Sequence, residues 1–152
     1  NHWPSRYGGK LKSENSRFLA SKVLSNAVKM NTLKHPFDKI IVTGDFNDTP
    51  TDPSIKHLQK TSNLKHSPAE NPYAKGTIKY KRNWQHFDFF MHSNNWLKST
   101  GLRLGKSEVF NPKWLLEKDV KYGGFKPFRT YLGPRYHAGI SDHLPIILHI
   151  TY

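Results

Sequence analysis

Apolar residues recur at helical spacing from Ser13 to about Met30, where Phe18, Leu19, Val23, Leu24, Ala27 and Val28 share one face and Lys22, Ser25 and Lys29 fall elsewhere. This predicts a helix that lays its stripe over a sheet. A short run of β-branched residues, Ile40 to Val42, then leads into Gly44 and a cluster of turn formers, the pattern of a buried strand ending in a loop. Asp52 followed by Pro53 has the form of an N-cap and first helical position, opening a short helix through Leu58.

From Thr61 to Asn83 the chain is polar and rich in Lys, Pro, Asn and His, which predicts a surface excursion holding a short strand around Thr77 to Tyr80. Trp84 to Ser93 reads as a strand. Ser107 to Lys118 reads as another short strand followed by a helical turn, and Tyr122 to His143 as a Gly- and aromatic-rich loop. Leu144, Ile146, Leu148 and Ile150 alternate with their neighbours as a half-buried closing strand should. There is no internal repeat or low-complexity tract.

A chain of 152 residues is one ordinary domain or a piece of a larger one, long enough to bury roughly two thirds of its unfolded surface. Its 24 Lys and Arg against 11 Asp and Glu give a formal net charge of +13, a field that attracts polyanions and anionic membranes. The basic residues are dispersed, so the same charge also fits simple solubilisation. The absence of cysteine excludes disulfides, thiolate metal sites and a cysteine nucleophile. No apolar run approaches a membrane span, and no charged-then-apolar signal segment opens the chain.

Three junctions place acid, amide or imidazole groups where strands are expected to end. In Gly44-Asp45-Phe46-Asn47-Asp48 a strand would deliver a carboxylate and a carboxamide two residues apart, and therefore to one face. Asp142-His143, before the last strand, supplies a carboxylate and an imidazole that can act as a general acid or base once its tautomer is fixed. Asp88 lies between apolar neighbours, where an unpaired charge is costly, and is a candidate to orient that imidazole. His2, in Asn1-His2-Trp3-Pro4, is a further candidate. Taken singly, each has a plain structural explanation; an Asp-Asn turn is most often only a turn.

Taken in order, Gly-Asp-Phe-Asn at 44–47, Asp88 on the next aromatic strand and Ser-Asp-His-Leu-Pro at 141–145 resemble the signature of the endonuclease/exonuclease/phosphatase superfamily. That group includes deoxyribonucleases, abasic-site endonucleases, sphingomyelinases and inositol polyphosphate phosphatases. Asn1 to Arg6 and Pro127 to Tyr131, with Tyr136 and Gly139, look closest to a bacterial branch, which slightly favours a secreted or periplasmic location. The resemblance implies an α/β fold, a four-layered sandwich of two mixed sheets with helices outside. It also implies roles: His143 beside the scissile phosphate, Asp88 orienting it, Asp45 activating water, Asn47 positioning water or a phosphate oxygen, and His2 contacting the phosphate. Asp142, with Asp45 and Asn47, would lie at a divalent cation, Mg²⁺ or Mn²⁺.

Members of that family are about twice this length, and their N-terminal half supplies an early Asn and the Glu that is the principal metal ligand; neither motif is present here. Residues 1–152 are therefore expected to be the C-terminal half of one such domain, partnered by its N-terminal half and otherwise exposing a sheet edge. The expected function is metal-dependent hydrolysis of a phosphoester, as in a phosphodiesterase or nuclease. A non-catalytic basic module binding nucleic acid or anionic lipid is the alternative. Arg6, Arg129 and Tyr131 are candidate substrate contacts; Lys10, Lys79, Lys81 and Arg82 are further phosphate candidates, and Trp3 and Tyr136 further stacking platforms.

Overall fold

A computed structural model of the chain describes residues 1–69, 75–97 and 101–152. Residues 70–74, inside the expected surface excursion, and 98–100 lie outside the described residues. The elements, in chain order, are helices α1 (Glu14–Lys34) and α2 (Pro53–Ser62) and strands β1 (Ile41–Asp45), β2 (Leu64–Ser67), β3 (Ile78–Tyr80), β4 (Asn83–Gln85), β5 (Asp88–Ser93), β6 (Arg103–Val109), β7 (Leu116–Lys118), β8 (Phe125–Pro127), β9 (Tyr131–Leu132), β10 (Arg135–Tyr136) and β11 (Ile146–Thr151).

The first half of the molecule is a helical layer on a three-stranded antiparallel sheet of order β1-β5-β2. Val28 from α1 and Ile55 and Leu58 from α2 share one core with Val42, Leu64, Phe89 and Met91 from the sheet and with Trp3 and Phe46. Phe46 stacks on Phe89 at 4.4 Å and meets Trp3 edge-on at 5.1 Å, so the loop after β1 is anchored by aromatic contacts. The second half consists of β6 paired with β11 and the hairpins β3–β4, β7–β8 and β9–β10. Its smaller core is Val109, Leu115 and Leu144, flanked by Trp84 and Ile146.

Several expectations change on contact with tertiary structure. Helix α1 runs past Met30 to Lys34 and stops where His35 precedes Pro36, because the residue before a proline is disfavoured in helical conformation. The face it buries is also shifted, keeping Val28 and part of Leu24 from the apolar stripe. Arg17, Ser21, Ser25 and Val28 are covered, whereas Leu19 and Val23 of the apolar stripe are 62% and 63% exposed. The reason is the partner: α2 meets α1 through polar contacts, Ser21 Oγ to Ser54 O at 2.7 Å, Ser21 to His57 Nδ1 at 3.0 Å and Ser25 to Thr61 at 2.5 Å.

Helix α2 opens at Asp52-Pro53 as expected and extends to Ser62. The polar stretch Leu64–Ser67 is a sheet strand that composition hid, since its neighbour β5 supplies both pairing and burial. Trp84 to Ser93 is two strands, broken at His86 and Phe87. There the amides of Phe87 and Asp88 both point at Thr77 Oγ1, at 3.2 and 3.3 Å, as the chain leaves the β3–β4 hairpin for the sheet. The aromatic loop contains β8, β9 and β10. Strand β11 shows no clean alternation: Ile146, Ile147 and Leu148 are all half-buried and its last three residues exposed.

Candidate active site

Strand β1 delivers Asp45 opposite Asp88 in the antiparallel register with β5, so two carboxylates face each other across adjacent strands. Like charges in that position repel unless something lies between or beside them. The N-terminal segment supplies part of the frame: Asp45 N donates to Asn1 O at 3.0 Å and Trp3 N to Asp45 O at 2.9 Å, with His2 bridged in parallel to Asp45. Gly44 makes that approach possible. Its φ is +139°, and a Cβ there would sit 1.9 Å from Asn1 O.

His143 arrives from the other half on a loop held at several points. Gly139 N donates to Arg129 O at 3.1 Å, and Ile140 N and Ser141 N donate to Phe128 O at 2.7 and 3.2 Å; a Cβ at Gly139 would strike both carbonyls, at 2.3 and 2.4 Å. Ser141 Oγ accepts from His143 N at 3.1 Å, and Leu144 N donates to Thr77 O at 2.8 Å. Thr77 therefore braces the backbones that carry Asp88 and His143. In sequence Thr77 is only the first residue of a short expected strand, and no local pattern marks its hydroxyl and carbonyl as a brace.

The side chains then converge. His143 Nδ1 is 2.6 Å from Asp88 Oδ2, and its Nε2 is 4.0 Å from Asp45 Oδ2. His2 Nε2 approaches the same Asp45 oxygen from the exposed side at 3.6 Å. Asp88 thus fixes Nδ1 and leaves Nε2 aimed at the space in front of Asp45, the arrangement of an oriented acid–base imidazole. Asn47 is not on the strand, as the period-two expectation had it. It sits past the end of β1 with φ +49°, yet turns back so that its amide donates to Asp45 Oδ2 and Trp3 O, each at 3.0 Å, while its backbone N donates to Asp45 Oδ1 at 2.8 Å. With both amide hydrogens used, Asn47 holds Asp45 in place.

Burial is the largest influence on both titrating groups. It raises the Asp45 carboxyl above its ordinary value, against the Asn47 amide and the nearby imidazoles, with the Asp88 charge adding to the rise. For His143 burial works downward, but the Asp88 hydrogen bond and charge, with Asp45 and Asp142, outweigh it and raise the imidazole. A carboxylate poised to take a proton therefore stands beside an imidazole inclined to keep one. Asp45, Asp88 and His143 offer ligand atoms within 4.8 Å of one another, a grouping able to hold a cation. Two facing carboxylates fit an oxygen-seeking ion that keeps several of its waters. Asp142, expected at the metal, is exposed and outside this grouping, adding only its charge to His143.

A cavity of about 250 Å³ opens beside Asp88 and His143, lined also by Thr43 and Ser141 and by apolar residues including Leu115, Ile140 and Leu144. Arg6, expected at substrate, instead donates through Nη2 to Asp48 and Asp52, both at 2.7 Å, and through Nε to Asn47 O at 2.7 Å. Lys10 pairs with Asp52, and Lys79 with Asp119 at 2.8 Å. The acids that claim these cations were not legible as their partners, since in sequence Asp48 looks like a turn residue and Asp52 like a helix N-cap. Arg129 is half-buried and anchors the Gly139 turn through its carbonyl; Tyr131 and Tyr136 are exposed and meet edge-on at 5.6 Å.

The helices packed over this sheet make an α/β fold. A profile of the Endonuclease/Exonuclease/phosphatase family matches residues 1–152, and the chain belongs to that family. Among solved structures it resembles sphingomyelinase C from Streptomyces griseocarneus (TM-score 0.57, 17% identity, 97% of this chain and 50% of that one). It also resembles the human Nocturnin catalytic domain with bound sulfate anion (TM-score 0.53, 21% identity, 99% and 44%). A third is an endonuclease/exonuclease/phosphatase family protein from Bacteroides thetaiotaomicron (TM-score 0.52, 18% identity, 90% and 45%). These likenesses show a shared α/β fold, and the chain spans half or less of each of them. No curated protein matches the chain in sequence. No helix among the described residues is long and apolar enough to cross a membrane.

Proposed function

We propose that this chain is the C-terminal half of a four-layered sandwich that hydrolyses phosphoester bonds, a phosphodiesterase or nuclease-like enzyme working with Mg²⁺ or Mn²⁺ when joined by its N-terminal half. The observation that carries the reading is the convergence of Asp45, His2 and the Asp88-oriented His143 Nε2 on one small volume. In that volume Asp45 takes the proton of an attacking water while Asn47 keeps its carboxylate aligned. His143, held by Asp88, presents its Nε2 proton to the phosphoryl oxygens, and His2 contacts them from the open side. A bound cation would draw oxygens from Asp45 and Asp88 and would supply positive charge against the phosphate. The principal Glu ligand is proposed to come from the N-terminal half.

The same proposal gives an occupant for the exposed stripe of α1. Leu19, Val23 and Leu24 with Trp3 and Pro4 line an apolar groove of about 510 Å³, and the N-terminal half is proposed to cover it, since the neighbours are about twice as long as this chain. The test is hydrolysis of bis(p-nitrophenyl) phosphate by the protein extended to include that half, with Mg²⁺ or Mn²⁺. Turnover that disappears on chelation and falls at least ~100-fold in His143→Ala supports the reading. Absence of turnover in the folded, metal-loaded protein, or turnover indifferent to His143, contradicts it and favours a binding module.

A further inference from the structure

A second cleft, about 320 Å³, shares only Leu144 with the cavity beside Asp88 and His143. One wall is the β3–β4 hairpin, and the other is the turn from Asp119 to Phe125 that joins β7 to β8. Hydrogen bonds close that turn on itself, Asp119 N to Gly124 O and Gly123 N to Asp119 O, each at 2.8 Å. Gly123 and Gly124 allow it through left-handed φ values of +80° and +72°.

The lining is basic and aromatic. Lys79 has a side chain only 4% exposed, and its ammonium donates to Asp119 Oδ2 at 2.8 Å and to Gly123 O at 2.6 Å. An ammonium has three donors, so one remains without a partner among the described residues. Lys75 and Arg82, both exposed, line the same cleft with no ion-pair partner among the described residues. The lining thus holds three cations, Lys75, Lys79 and Arg82, and among the described residues no carboxylate; Asp119 answers Lys79, and the other two leave the cleft positive. Trp84, Tyr122 and Phe125 supply flat apolar surface beside them.

We propose that this cleft is a second ligand site, separate from the hydrolytic centre, for a phosphate group carried on a flat ring system, as in a nucleoside monophosphate. A bare phosphate would match the cations and leave the aromatic wall wet. An uncharged ring would cover the wall and leave the cations unmatched. A ligand with both answers each, and the volume falls in the range that holds small molecules.

The probe is AMP, titrated against tryptophan fluorescence in the metal-free protein extended by its N-terminal half. His143→Ala serves as background so that no hydrolysis intervenes. The expected result is saturable quenching that vanishes in Trp84→Phe, with inorganic phosphate and adenosine each binding more weakly than AMP. Lys75→Ala combined with Arg82→Ala changes two exposed side chains, and its unchanged melting temperature would confirm the fold. That variant should weaken AMP at least ~10-fold, as expected when hydrogen bonds from charged donors are lost. No Trp84-dependent signal up to about 1 mM AMP, or equal affinity in the double variant, overturns the site. Failure of hydrolysis in the wild-type protein with AMP binding intact would remove the phosphoesterase reading and leave the cleft standing.

Discussion

Two charged clusters share the short loop from Asp45 to Asp52, and they are built in opposite ways. On one side Asp48 and Asp52 are met by Arg6, Arg17 and Lys10, with Ser54 and Thr49 completing their hydrogen bonds. Every acid there has a permanently charged or hydrogen-bonded partner. On the other side Asp45 and Asp88 face each other with, among the described residues, no lysine or arginine as ion-pair partner, only His2 and His143. The first arrangement stabilises a loop. The second keeps protonation states close to exchange, which suits chemistry and leaves a place for a cation. Each cluster holds two acids; what differs is whether the counter-charge is permanent or an imidazole that titrates.

The largest expected effect lies in the first cluster. Arg17 is fully buried, with Nε 2.8 Å from Asp48 Oδ1 as a close ion pair, Nη1 on Ser13 Oγ and Nη2 on Lys10 O. Arg17→Met should cost about 3 kcal/mol of stability, the lower end for breaking a buried pair because Asp48 keeps Arg6. Chemical denaturation of the extended protein measures it. A loss under about 1 kcal/mol would mean that the network is slack.

A smaller change distinguishes the second cluster. Asp88→Asn keeps an oxygen that can accept from Nδ1 but removes the negative charge beside it, so the raised His143 pKa should fall. Proton NMR of the metal-free protein reads this directly. An unchanged or higher value would show that Asp88 does not govern His143.

The sequence made the reactive cluster easier to see than the structural one. Asp45, Asn47, Asp88 and His143 stand out because each lies at or beside a strand end in a recognisable short motif, and the structure brings them together. The partners of Asp48 and Asp52 come from Arg6, Lys10 and Arg17, more than thirty residues earlier, and no local pattern announces such pairings. The stripe on α1 misled for a related reason. Periodicity tells that Leu19 and Val23 want cover, but not that the described part of the chain would dock α2 on the serine face instead. Strand β2 was invisible because Lys65 and His66 owe their place to pairing with β5.

Acid should weaken the first cluster through Asp52. Burial alone would raise the Asp52 pKa, but the Lys10 ammonium, the Thr49 amide and hydroxyl, and Arg6 together bring it down to about 2 from 3.8. A lowered carboxyl pKa stabilises the fold fully above the unfolded value and stops doing so as pH falls through the folded one. Asp52→Asn should therefore lower the melting temperature near neutral pH, with the gap to wild type closing between pH 3.8 and about 2. A gap independent of pH would assign the loss to packing. The smallest effect concerns salt: with a polyanionic substrate KM should rise between about 50 and 200 mM salt, and a flat response would indicate a small substrate.

The claim that Asp45 and His143 form one reactive unit is tested most directly by a double-mutant cycle on turnover. Asp45→Asn and His143→Ala are each made in the extended, metal-loaded protein and then combined, with folding confirmed by melting temperature. Each single change should cost at least ~100-fold in kcat, and the double variant should be little worse than either alone, because residues that act together are not additive. Losses that multiply, or a near-normal rate in either single variant, would contradict the account.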